Sequence, residues 1–424
     1  MNLPRGMKDF DSAEQSKIEF VRQKFLETSK SFGFNFMAPS PLELVSVIEA
    51  KSGPAIRDEI YFFKDKGDRE IALRFDFTVG LTRYVVEQKS LKMPAKISAF
   101  GGVWRYDEPQ KGRYRYFHQW DLEVYGKPSL ESDAEIIEFT SKFFSKLNLK
   151  NITIDISHRK LVESVVSRIF GSADSHTIGD IFRAIDKIQK KKKDEIISEY
   201  AQKGYSKEKL EQILEFSKIK GQPDEVESVF DISGIQAWDE LKELFSSLKN
   251  RGVANIRINF GIVRGLDYYS GIVFEAFDSS TSFGALVGGG RYDSLPKAFG
   301  REDIGATGVA GGVERIILSL EAQGLQTIES TTTIAVLFVN EEMARPAMNI
   351  ASRLRERGLA IEIDLLGRPF KKQMENASNS KFAVIIAPKE YSQNQVIVKN
   401  MFDGKETITQ IDSLFSNVKS LFTL

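Results

Sequence analysis

The sequence predicts an α+β protein, in which a domain built on an antiparallel sheet and interrupted by a helical insertion precedes a small α/β domain. Three observations carry that reading. Residues 104–126 form two strand-like runs around a turn-rich centre, Glu108-Pro109-Gln110-Lys111-Gly112. From about residue 171 to 250 the chain becomes rich in Lys, Glu, Ile and Leu at helical spacing, with fewer aromatic residues. Beyond residue 333 strands alternate with helices, which implies parallel pairing through right-handed crossovers.

The elements follow in order. Ile18, Phe20, Val21 and Phe25 carry helical spacing across residues 13–32, which ends near Gly33. Residues 59–64 and 69–75 read as two strands joined by the turn Asp65-Lys66-Gly67-Asp68. Residues 96–126 are rich in strand formers, 133–147 return to helical spacing, and 152–156 alternate like a strand. After the insertion come aromatic and glycine-rich strands over 257–292, then a glycine-rich entry to a helix over 313–321. Residues 322–333 read as a linker. The last region reads strand (334–339), helix (342–357), strand (359–364), helix (370–379), strand (382–387), a strand pair (395–400 and 406–411) and a terminal helix. At 424 residues the chain exceeds one ordinary core, which supports domains at 1–325 and 326–424.

Composition narrows the function classes. With 59 basic and 59 acidic residues the formal net charge is zero, so a nucleic-acid partner requires a local basic surface rather than long-range attraction. The absence of cysteine excludes a disulfide framework, a thiolate metal site and a cysteine nucleophile. No apolar signal core opens the chain and no apolar run reaches membrane-spanning length, so a cytoplasmic protein without a membrane partner is expected.

The second flank of the 104–126 run carries the chemistry. Its even positions are Tyr116, His118, Trp120, Leu122 and Val124; its odd positions are Arg113, Arg115, Phe117, Gln119, Asp121 and Glu123. Successive strand side chains point to opposite faces. One face is therefore mostly apolar, while the other sets cations, an aromatic ring, an amide and carboxylates in a row. An ordinary half-buried sheet would also alternate. The order, however, suits a ligand with phosphate at one end, a flat ring beside it and a cationic amine or imidazole at the other.

This run resembles motif 2 of the class II aminoacyl-tRNA synthetases, in the form found in the histidine-specific family. The resemblance implies that Arg105 holds the ATP α-phosphate, that Arg113 reaches the nucleotide phosphates and that Phe117 stacks on adenine, with Asp107 nearby. It places Gln119 and Glu123 on the amino acid. Glu108 stands where many bacterial members have arginine, so that position's tRNA contacts are not carried over.

Three further segments resemble the same family. In Val263-Arg264-Gly265-Leu266-Asp267-Tyr268-Tyr269-Ser270-Gly271, the resemblance brings Arg264 to the α-phosphate. Tyr268 and Tyr269 enter the histidine site, and Tyr269 joins Glu123 on the imidazole. Two polar groups on one ring would leave buried partners unsatisfied with any other amino acid. Gly288-Gly289-Gly290-Arg291-Tyr292 reads equally well as a tight turn, and the resemblance places it, with Tyr292, at the histidine pocket wall. The glycine-rich run 305–312 leads to Arg315, which resembles the motif 3 arginine on ATP. Asp76 and Thr78 match a segment whose acid and threonine bind the substrate α-ammonium. Residues 31–43 resemble motif 1, a dimer element.

The activity thus implied is ATP-dependent, AMP-forming attachment of histidine to its tRNA, by a homodimer using Mg²⁺ with ATP and no assigned protein metal site. Catalytic weight falls on Arg105, Arg264 and Arg315, and the final domain would bind the anticodon through Gly367–Gln373. The rival is an inactive synthetase-like regulatory or sensor protein. Of the histidines, His118 on the apolar face reads as a satisfied core residue, and Lys190–Lys193 as a solvated helix face.

Overall fold

The computed structural model describes residues 2–109, 114–171, 173–188, 191–263, 268–325 and 333–422. In chain order the strands are β1 (Asn35–Phe36), β2 (Leu42–Leu44), β3 (Phe62–Lys64), β4 (Glu70–Leu73), β5 (Ala95–Trp104), β6 (Tyr116–Gly126), β7 (Ile152–His158), β8 (Lys220–Gly221), β9 (Ile256–Asn259), β10 (Ile272–Asp278), β11 (Val287–Arg291) and β12 (Gly305–Gly312). β13 (Thr333–Phe338), β14 (Ala360–Ile363), β15 (Phe382–Ile386), β16 (Gln395–Asn400) and β17 (Glu406–Gln410) follow. Two compact units divide at residues 328 and 329.

The first unit is built on a sheet of order β1-β5-β6-β12-β11-β10-β7-β9-β8. Its centre, from β5 to β7, is antiparallel throughout. Alternation along β6 sorts its side chains. Trp120, Leu122 and Val124 enter a large core with Ile18, Val21 and Phe25 of the helix Ser12–Ser31 and with Phe139 and Phe143 of the helix Leu130–Lys146. The Trp120 ring sits 5.3 Å from Phe25 and 5.1 Å from Phe143, within the range where edge and tilted aromatic packing is favourable. Asp11 caps the first of these helices by accepting from Glu14 N, and the Glu14 carboxylate accepts from Asp11 N in return.

The opposite face of the sheet is closed in part by the helix Thr78–Glu87 and by Tyr125, Val273 and Tyr292. A small sheet of order β2-β4-β3 flanks it, with the expected turn at 65–68 between β3 and β4.

Among the described residues the insertion holds five helices, from Ser175–Lys187 to Gln236–Asn250. Ile181, Tyr200, Leu210 and Leu241 bury into the same cluster as Trp120, so the insertion shares the main core. It also adds β8, which pairs antiparallel with β9 at the sheet edge.

The second unit has a sheet of order β14-β13-β15-β16-β17. The strands separated by helices pair in parallel, and the final hairpin is antiparallel. Ile334, Val336 and Phe338 face the helix Ala344–Arg355, while Ala335 and Leu337 face the side of Phe370 and Met374. Buried Gln373 accepts from Phe338 N (3.1 Å) and donates to Phe338 O (3.1 Å) and Arg368 O (2.8 Å), fixing the segment 367–373 to the sheet. Most of the expected 322–333 linker lies outside the described residues; the preceding helix runs to Ala322.

Candidate active site

On the face of β6 away from the large core stand Phe117, Gln119, Asp121, Glu123 and Tyr125. Their neighbours on the β12 side are small. Gly101 and Gly312 flank Gln119, Ala99 and Ala310 flank Asp121, and Gly308 lies beside Glu123. Long polar side chains between small ones leave a trough, because nothing from β12 rises to fill it. A Cβ on Gly308 would lie 1.4 Å from Oε2 of Glu123 and 2.8 Å from Leu122 O. The strand beyond continues the trough, since Gly288 of β11 pairs with Ala310 and with Glu275 of β10.

Arg105 follows β5 and crosses this floor. Its Nε donates to Phe75 O (3.0 Å) and its guanidinium donates to Gln119 Oε1 (3.0 Å), while its plane sits 5.2 Å from the Phe117 ring. Gln119 then donates through Nε2 to Asp121 Oδ1 (2.7 Å), and Thr78 Oγ1 donates to Asp121 Oδ2 (3.2 Å). The result is a continuous buried chain from a cation to a helix N-terminus.

Two cavities meet at Arg105. The larger, of about 520 Å³, is lined by Arg105, Asp107, Phe117, Glu275, Phe283 and Arg315 among others. Arg315 lies in the first turn of the helix Val313–Ala322 and donates to Ala285 O (2.9 Å). Beside it Glu314 accepts from His118 N (2.9 Å) and lies 3.0 Å from His118 Nδ1. His118 is thus a packed, hydrogen-bonded residue, as its place on the apolar face suggested.

The smaller cavity, of about 180 Å³, is lined by Asp76, Thr78, Gln119, Glu123, Tyr268, Tyr269 and Tyr292, and shares Arg105, Asp107, Gln119, Gly288 and Ala310 with the larger. The Tyr292 hydroxyl donates to Glu123 Oε2. Burial, with the Glu123 charge adding to it, holds the Tyr292 and Tyr125 hydroxyls well above the usual tyrosine range, so both remain protonated donors. Tyr125 lies 3.0 Å from Thr82 Oγ1, whose own proton goes to Thr78 O (2.7 Å). Tyr268 and Tyr269 stack at 4.5 Å, and Tyr268 meets Tyr292 edge-on at 5.8 Å. The Asp76 carboxylate accepts from Val79 N (3.3 Å) at the start of the helix Thr78–Glu87.

The structure therefore brings Asp76, Thr78, Arg105, Asp107, Phe117, Gln119, Glu123, Tyr268, Tyr269, Tyr292 and Arg315 to the walls of two adjoining cavities. Arg113 and Arg264 lie outside the described residues. Arg115 departs from the alternation. It precedes β6, stacks at 3.8 Å on Tyr106 and donates to Asp107 O, so it faces neither cavity. The glycine run 288–290 is strand, with no turn, and Gly289 is pressed to the Gly308 carbonyl, 2.4 Å from where its Cβ would lie. Asp121, Gly308 and Glu275 were not singled out from the sequence. For Asp121 the signal was present in its odd position on β6.

Lys191 and Lys193 of the lysine run pair with Glu199 (3.0 Å) and Glu215 (2.5 Å) within the insertion. Arg57, in the short helix Pro54–Glu59, pairs with Glu49 and Glu70.

Comparison with known proteins agrees along the whole chain. Residues 6–316 match the family model described as histidyl-tRNA synthetase, and residues 333–421 match an anticodon binding domain. A protein from Pyrococcus furiosus named histidine–tRNA ligase is 34% identical over 98% of both chains. A second relative of that name, from Thermoplasma volcanium, is 30% identical over 97% of this chain and 96% of its own. The crystal structure of histidyl-tRNA synthetase from Nostoc sp. PCC 7120 shares the fold, with a TM-score of 0.83 at 24% identity over 99% of each chain. With its family model spanning most of the chain and relatives of this identity at nearly full length, the protein belongs to the histidyl-tRNA synthetase family.

Proposed function

We propose that the protein is a histidine–tRNA ligase, which activates histidine with ATP to histidyl-adenylate and pyrophosphate and then transfers histidine to the 3′ end of its tRNA. The observation that carries this reading is the junction of the two cavities at Arg105 and Gln119. The larger cavity, with Arg105, Arg315 and Phe117 in its lining, suits a nucleotide. The smaller, with Asp76, Glu123, Tyr268, Tyr269 and Tyr292, suits an amino acid with a cationic amine and a polar ring.

On this reading ATP occupies the larger cavity, with adenine against Phe117 near Asp107 and the phosphates reached by Arg105, Arg113, Arg264 and Arg315. Histidine occupies the smaller one, with its α-ammonium at Asp76 and Thr78 and its imidazole at Glu123, Tyr269 and the neighbouring Tyr268 and Tyr292. The histidine carboxylate attacks the α-phosphorus and the bond to pyrophosphate breaks; the tRNA terminal hydroxyl later attacks the acyl carbon of the mixed anhydride, and AMP leaves. No protein nucleophile is needed. The protein contributes positioning and cations where negative charge develops. Mg²⁺ enters with ATP as part of the substrate. Among the described residues no cluster of three or more acidic or histidine side chains forms a metal cage, so phosphates and water would supply much of its coordination.

The second unit, through Gly367–Gln373, is proposed to bind the anticodon, and exposed Leu42, Leu44, Phe62 and Phe63 support a homodimer contact in and beside the motif 1 segment. No helix among the described residues is long and apolar enough to cross a membrane; a cytoplasmic location is part of the proposal. Aminoacylation of tRNA with labelled histidine tests the reading. Histidine-specific charging is expected, and none by folded protein would overturn it.

A further inference from the structure

We infer that Asp121, a fully buried carboxylate behind the smaller cavity, is a positioning residue that makes the amino-acid site selective for an α-ammonium group. The inference rests on the proposed histidine site and extends it to a residue that does not touch the ligand.

Asp121 is 0% exposed, and its two oxygens receive Gln119 Nε2 at 2.7 Å and Thr78 Oγ1 at 3.2 Å. An ionised carboxylate accepts and cannot donate. The single hydroxyl proton of Thr78 is therefore committed to Asp121, leaving its lone pairs for the cavity that Thr78 lines. The same carboxylate sets the Gln119 amide. Its NH₂ end is held by Asp121, so its oxygen faces Arg105 at 3.0 Å. With Asp76 on the same wall, the site offers acceptors to a cationic amine and no hydroxyl proton from Thr78 to oppose it.

Asp121→Asn keeps the shape and reverses the polarity. If its NH₂ faces Thr78, the threonine proton turns into the cavity. If it faces Gln119, two NH₂ groups meet and the Gln119 amide must flip its NH₂ towards Arg105. Either arrangement opposes the chain seen here.

The test uses the full-length chain and two ligands differing only in the amine: histidinol and 3-(imidazol-4-yl)propan-1-ol, each titrated by calorimetry. The wild-type chain should prefer histidinol, and Asp121→Asn should reduce that preference by about tenfold, the loss expected for one charge-linked hydrogen bond. A general packing defect would weaken both ligands together. An unchanged ratio, or equal loss of both, overturns the inference. Thr78→Val provides the second measurement. It removes the acceptor itself and should reduce the same ratio, and an unchanged ratio there also overturns the inference. If the wild-type chain binds neither ligand, the histidine-site reading fails, and the inference falls with it.

Discussion

Glu123 and Gly308 are matched across the β6–β12 ladder: the carboxylate lies where any side chain on residue 308 would begin. The glycine is a steric requirement of the acid. Gly308→Ala should force Glu123 or its strand to move, raising the KM for histidine by about tenfold or more while ATP binding changes little. Steady-state exchange kinetics varying each substrate separately would check this. An equal change in both KM values would contradict it.

The Tyr292 hydroxyl donates to Glu123 Oε2, and both residues line the smaller cavity. Tyr292→Phe removes a buried donor to a charged acceptor, which costs on the order of 2 kcal/mol. Histidine affinity should fall about tenfold or more. In the companion variant Glu123→Gln, discrimination against other amino acids should relax. Competition by near-isosteric amino acids in the exchange assay measures both, and undiminished discrimination in Glu123→Gln would remove that residue from the imidazole site.

Much of this site is legible in the sequence because β6 lies between two different environments. Trp120 and Leu122 fill a core while Gln119 and Glu123 line a trough, and that contrast appears as strict alternation. Asp121 shares the alternation, but its role depends on Thr78, 43 positions away in the chain, whose approach no local pattern reveals. Arg115 fails for a simpler reason: it precedes the strand, where the two-residue period has not begun. Glycine spacing cannot tell the turn from the strand at 288–290, since both tolerate a missing Cβ. The two-residue β8 is too short to carry any period. In the second unit the alternating strand and helix order is legible at β13 and β15, which are buried on both faces and read as apolar runs.

Asp133 gives a pH-dependent prediction. It is fully buried beside Arg291, and burial outweighs the arginine's charge, so its carboxyl is pushed up to about 6 from an ordinary value of 3.8. The native state therefore holds this proton more tightly than the unfolded chain. The stabilisation is complete below about pH 4 and is lost as pH rises through 6. The stability of the wild-type chain relative to Asp133→Asn should fall between pH 4 and 6, by on the order of 3 kcal/mol, and stay level above pH 7. Denaturant titrations at stepped pH would measure it, and a relative stability that rises across that window would contradict it.

The two units have separate buried clusters: Trp120 and Tyr125 belong to those of the first, Val336 and Leu337 to those of the second. Deleting residues 329–424 should leave histidine-dependent exchange of pyrophosphate into ATP within a few-fold of the full chain, while tRNA charging drops by at least about tenfold. Intact charging by the truncated chain would count against an anticodon role for the second unit.

The central claim is that the two cavities joined at Arg105 and Gln119 hold ATP and histidine. Pyrophosphate exchange into ATP, run with each of the common amino acids in turn, tests it most directly. Exchange is expected with histidine, and none above background with the others. Exchange driven by another amino acid, or none with histidine from folded protein, would contradict it.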